Sequence, residues 1–172
     1  SMVVRQLLTM GVLQFLLISL FSFTIGFCQT PSLVLINHLQ GKWDMTGTVM
    51  KKPVRYNAEG ALVLKDQFLS FHMKDVEEPS AYEAYLYIGI DSSKSEYIAH
   101  WLDSFGGAGA RVIGIGPYSP EKIEIVYPYA EGKFRNFFEY DPKKDEWTLV
   151  IESEGADGHW DLFAQYNITR KR

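Results

Sequence analysis

The sequence predicts an all-β protein: an antiparallel up-and-down barrel of about 8–10 strands behind a short N-terminal helix. Three observations carry that prediction. Beyond residue 41, apolar side chains alternate with polar ones at a period of two. Turn chemistry interrupts the alternation about every ten residues, with no helical pattern between. Aromatic residues make up 15% of the chain and fall on both faces of several predicted strands, as they do where a curved sheet encloses an interior.

A separate segment precedes the barrel. No residue from Leu7 to Phe27 is charged, Gly11 to Phe21 is strongly apolar, and Arg5 is the preceding cation. This pattern reads as an export signal, with the small residues Gly26 and Cys28 flanking Phe27 ahead of a cut before Gln29. Residues 1–28 are thus expected to be a signal peptide and residues 29–172 an exported barrel domain, periplasmic or extracellular. Two rivals stay open. The uncharged run is long enough to remain as a membrane anchor, although Gln14, Ser19, Ser22 and Thr24 interrupt it. A lipidated Cys28 would tether the domain instead, although Phe27 stands where such a site favours a small residue.

The elements follow in order. Apolar residues at helical spacing over 32–39, capped by Ser32 and stopped by Gly41, predict the short helix. Trp43, Met45, Gly47 and Val49 then alternate with Asp44, Thr46 and Thr48. Strands are predicted over 42–50, 54–64, 67–75, 82–91, 95–104, 109–116, 121–129, 132–140, 145–154 and 159–169. Their separators are turn formers, among them Lys52-Pro53, Glu78-Pro79-Ser80, Phe105-Gly106-Gly107, Glu131-Gly132 and Asp141-Pro142. Short connections make neighbours antiparallel, and closure removes the exposed edges.

The faces suggest an interior. Over 82–91 one face carries Tyr82, Ala84, Leu86, Ile88 and Ile90, the other Glu83, Tyr85 and Tyr87. Over 132–140, Phe134, Asn136, Phe138 and Tyr140 oppose Arg135, Phe137 and Glu139. Large side chains with a few polar groups among them either fill a barrel or line a small-molecule pocket.

Composition excludes several functions. A net charge of −4 gives no basic excess for nucleic acid. One Cys excludes internal disulfides and Cys-based zinc sites. His38, His72, His100 and His159 have no local metal-site spacing. Nucleophile elbows, phosphate loops and His-Glu-x-x-His are absent, and the glycines at 106–109 and 114–116 open no predicted helix.

Leu39-Gln40-Gly41-Lys42-Trp43 resembles the Gly-x-Trp element that opens the first strand of lipocalin-like (calycin) barrels. A longer set is more specific: Tyr87-Ile88-Gly89-Ile90-Asp91, Tyr97-Ile98-Ala99-His100-Trp101-Leu102-Asp103-Ser104-Phe105-Gly106, Gly114, and Asp157-Gly158-His159-Trp160 running to Arg170. Together they resemble a bacterial lipocalin-like domain family of unknown function, across essentially all of residues 35–170. The resemblance implies a small antiparallel barrel with an internal cavity, and an Arg, here Arg170, packed across the Trp of the first strand. It implies no particular activity.

Ten residues are candidates for contact with a ligand: Trp43, Tyr85, Tyr87, His100, Trp101, Asp103, Arg111, Tyr127, Arg135 and Phe137. Trp101 and Asp103 share a strand face with Tyr97 and Ala99, while His100 and Leu102 point the other way. With Trp101 inward, Asp103 stands at a cavity mouth beside Gly106-Gly107; a strand-end Asp equally serves to satisfy turn backbone. Arg111 and Arg135 either face the lumen to hold a ligand carboxylate, partnered by Asp103 or Glu139, or point into solvent. A lumen-facing His100 or His159 could ligate haem iron. The expected function is an exported protein that holds a small hydrophobic or amphipathic molecule, without a required cofactor. The rivals are a barrel isomerase or hydrolase using Asp103 or His100 as base, a haem-binding barrel, and a filled structural barrel. Membrane contact is expected only through the N-terminal segment or a lipid on Cys28, and the oligomeric state is not legible.

Overall fold

The computed structural model describes residues 34–172, so the expected export segment, with Cys28, lies outside the described residues. One helical turn, α1 (Val34–Asn37), falls within the helix expected over 32–39. Ten strands follow: β1 (Gly41–Val49), β2 (Lys52–Val63), β3 (Phe68–Asp75), β4 (Glu83–Asp91), β5 (Glu96–Asp103), β6 (Ile113–Pro117), β7 (Lys122–Tyr127), β8 (Phe134–Asp141), β9 (Glu146–Glu154) and β10 (Trp160–Arg170). Each pairs antiparallel with the next, and β10 pairs with β1 to close the barrel. No helix among the described residues is long and apolar enough to cross a membrane.

The strands begin and end close to where the alternation predicts, with two differences: Lys52-Pro53, expected as a turn, opens β2 in register with Val49 and Thr48, the turn falling at Met50-Lys51, and the sixth strand starts late. Residues 109–111, expected to open the sixth strand, form a 3₁₀ turn, and β6 begins only at Ile113. Gly106, Gly107 and Gly109 have open space where a Cβ would stand, so this stretch has no side chains to pack and no reason to pleat.

Alternation turns one face of every strand inward. On β1 that face carries Trp43 and Met45, both fully buried. On β10 the register shifts between Leu162 and Ala164, a bulge that leaves Leu162 59% exposed beside an inward Phe163.

Up-and-down topology sorts the connections into two ends. Those after β2, β4, β6 and β8 share one end with α1; those after β1, β3, β5, β7 and β9 share the other. The α1 end is filled. Ile36 and Leu39 pack there with Trp43, Phe71, Leu86, Tyr97, Phe138, Trp147 and Ile168. Trp43 Nε1 donates to the Leu39 carbonyl at 2.8 Å, and the Arg170 guanidinium lies 3.7 Å from the Trp43 ring centroid. Arg170 also pairs with Asp145 at 2.9 Å and donates to the Gln40 carbonyl. Its hydrogen bonds hold the Asp145 carboxyl below the usual carboxylate range. Gly60 admits the plug: a Cβ there would overlap the Leu39 carbonyl.

Candidate functional site: the cavity in the open half

Above this core the inward side chains no longer meet across the barrel. The open half holds a cavity of about 950 Å³. Tyr56, Trp101, Tyr127, Asn136, Ile151 and Tyr166 border it toward the core, and Val49, Val54, Phe134 and Phe163 form walls nearer the mouth. A smaller cleft of about 270 Å³, beside Tyr140, Trp147 and Asn167, lies toward the closed end.

The aromatic lining forms two sets of touching rings. Tyr56 packs against Tyr82 and against Tyr166, with ring centroids 5.8 Å apart in both cases. Tyr127 stacks on Tyr129 at 6.0 Å. Tyr129 meets Phe134 edge-on at 5.8 Å, and Phe134 meets Phe163 at 5.1 Å. These offset and edge contacts are the arrangements that ring quadrupoles favour.

Polar atoms are sparse and mostly engaged. Tyr82 Oη donates to Asp103 Oδ2 at 3.2 Å and accepts from Trp101 Nε1 at 3.0 Å. Asp103 Oδ1 accepts the Phe105 amide at 3.0 Å. The Tyr56 and Tyr166 phenols influence each other's protonation across their ring contact. Among the described residues, Tyr127 Oη and Asn136 Nδ2 stand apart, buried without a hydrogen-bond partner there. Each residue is only 2% exposed.

Burial sets the protonation of the lining. It pushes the phenols of Tyr82, Tyr127 and Tyr166 well above the ordinary tyrosine value, and those of Tyr56 and Tyr129 in the same direction. The negative charge of Asp103 adds to the rise at Tyr82 and Tyr129. The lining phenols are therefore neutral donors and acceptors at neutral pH.

Three of the ten candidates, Trp101, Asp103 and Tyr127, line this cavity. Trp101 and Asp103 do so because β5 turns Tyr97 and Ala99 inward, and residues two apart share a face. The other seven lie elsewhere. Trp43 is in the filled end. Tyr85 and Tyr87 stack on the outer surface, Tyr85 also against His72 at 4.2 Å. His100, on the outward face of β5, has its Nε2 2.7 Å from the Ala110 carbonyl. Arg111 is exposed in the 3₁₀ turn. Arg135 points outward with Phe137, paired with Glu152 and 4.2 Å from the Trp160 ring centroid.

Two expectations about the lumen are thereby corrected. Neither Arg111 nor Arg135 faces it, and the partner of Arg135 is Glu152, neither Asp103 nor Glu139. A guanidinium outside keeps its solvation and finds a cross-strand carboxylate, whereas inside it would need full compensation. Neither His100 nor His159 supplies an inward imidazole: His159 is exposed and pairs with Asp157 at 2.9 Å.

Tyr56, Tyr129, Phe163 and Tyr166 were missed as lining residues. Parity was the available signal for two of them. Tyr56 shares its face with Ala58, and Tyr166 with Ile168, both inward apolar positions. Phe163 sits at a bulge, where parity breaks.

No family model matches the chain, and no curated protein matches it. Among solved structures it is similar to one titled as the crystal structure of Rv2717c from M. tuberculosis, with a TM-score of 0.60 and 17% identity. The match covers 83% of this chain and 98% of that one. At that identity the likeness shows the fold.

Proposed function

We propose that this chain is an exported binding protein with a lipocalin-like barrel that holds one small hydrophobic or amphipathic molecule in its open half. The observation that carries the reading is the pair of unpartnered polar atoms, Tyr127 Oη and Asn136 Nδ2, in residues bordering an aromatic cavity. A buried donor without a partner costs about 1–3 kcal/mol, a cost offset when an occupant supplies an acceptor. The surrounding rings offer contact area worth about 25 cal/mol for each Å² removed from water. Few polar groups within apolar walls are the usual make-up of a small-molecule site. An isomerase or hydrolase using Asp103 or His100 as base draws less support. Both Asp103 oxygens are already acceptors, and His100 stands on the outer face.

Native mass spectrometry of the protein purified from its own compartment tests the reading, with a retained small molecule as the expected result. Tyr127→Phe should leave the empty barrel as stable or about 1 kcal/mol more stable, because it deletes only the orphan hydroxyl. The same variant should lose the retained molecule or bind it about tenfold more weakly. Absence of any retained mass, together with no uptake of an apolar fluorescent probe, would overturn the proposal.

A further inference from the structure

The charge at the mouth narrows the ligand class, and this step rests on the binding function just proposed. Four carboxylates, those of Asp75, Asp103, Glu131 and Glu154, border the cavity against one cation, Lys52. None of the four forms an ion pair among the described residues. Elsewhere on the barrel, carboxylates such as Glu152 and Asp145 do have cationic partners. The cavity lining therefore carries three more carboxylates than cations, and a partly closed apolar cleft focuses that charge.

Asp103 is also surrounded by rings. Tyr82 holds one of its oxygens at 3.2 Å, and Trp101 holds Tyr82 in turn. Phe105 packs on Tyr82 at 5.7 Å and yet remains 83% exposed. A carboxylate with aromatic rings close by is an environment that attracts organic cations, because a cation paired with the carboxylate also gains from any ring face it meets. A second observation concerns the same cavity: two of its lining residues, Tyr127 and Asn136, each carry a buried polar atom, Oη and Nδ2, without a hydrogen-bond partner among the described residues.

We propose that the cavity selects an amphipathic organic cation, an amine or quaternary ammonium on an apolar body, whose charged group lies at the mouth beside Asp103. A fatty-acid carboxylate would meet four like charges there and no inward Arg, and is selected against. Neutral phenols deeper in the barrel accommodate the uncharged body without charge preference.

Three probes with the same alkyl chain separate the possibilities: decyltrimethylammonium, 1-decanol and decanoate. Each displaces an apolar fluorophore from the purified protein at pH 7 and low salt, below its micelle concentration. The cation is expected to bind about tenfold more tightly than the alcohol, and decanoate more weakly than either. Asp103→Asn should reduce the ratio of cation to alcohol affinity about tenfold, and Glu154→Gln should reduce it in the same direction by less. Added salt should compress the ratio. Decanoate binding as tightly as the cation, or an unchanged ratio in both variants, overturns the charge assignment while leaving the binding function intact. Failure of all three probes to bind overturns both.

Discussion

Arg170 shows how one side chain fastens an end of the barrel. Its planar guanidinium covers the Trp43 ring, reaches Asp145 from the last strand, and donates to the Gln40 carbonyl just before the first. Lys could keep the charge but neither the plane nor the fork of donors. Arg170→Ala is therefore expected to cost about 1–2 kcal/mol, combining a cation–π contact with charge-assisted hydrogen bonds. Urea titration should show a lower midpoint at unchanged slope. Binding of an apolar probe should be unaffected, since this end of the barrel is filled; a large loss of probe affinity would show that the two ends are coupled. Arg170→Lys should recover only part of the stability.

At the scale of elements the barrel is not uniform. β6 has five residues and a single register pair with β7, Ile115 with Val126, whereas β1 and β2 are in register from Gly41–Gly60 to Val49–Lys52. Gly114 and Gly116 in β6 allow the close approach there: a Cβ on Gly114 would crowd Ile125 and Tyr127, and one on Gly116 would overlap the Glu124 carbonyl. Few ladder bonds mean a low local opening free energy. Amide exchange followed by NMR should find the amides of Ile113–Gly116 exchanging well before those of Met45 and Ile168; equal protection would show that the seam opens only with the whole barrel. The same seam marks where sequence reading stopped. Strand order and bounds were legible because period-two patterning and turn residues are local signals. The sixth strand misled because glycines give no pattern to read. The direction of Arg135 was illegible for a different reason. Both faces of β8 carry aromatic residues, and Glu152, the partner that decides, sits across the ladder on β9. Asn136 was visible as a polar residue on an apolar face, but its lack of a partner is a property of three dimensions alone.

The whole molecule divides into a packed half and a hollow half, and tyrosines span the division. Tyr97 is in the packed core, while Tyr56, Tyr82, Tyr127, Tyr129 and Tyr166 border the cavity. Burial raises all six phenols above the ordinary value of 10.0. The consequence for stability has a definite sign. In the unfolded chain these phenols release protons near the ordinary value, while the folded barrel retains them, so above that pH the unfolded state binds fewer protons. Stability then falls as pH rises, in proportion to the difference in bound protons. The stabilisation is fully present below the ordinary tyrosine value and is lost as pH climbs toward the folded values. Tyrosinate absorbance should therefore show a cooperative step that coincides with loss of the β-sheet circular dichroism. An occupant of the cavity binds only the folded state and should move that step to higher pH. Gradual ionisation of all ten tyrosines under an intact β spectrum would instead mean that water already reaches the phenols, and that the hollow half is wet down to its junction with the core.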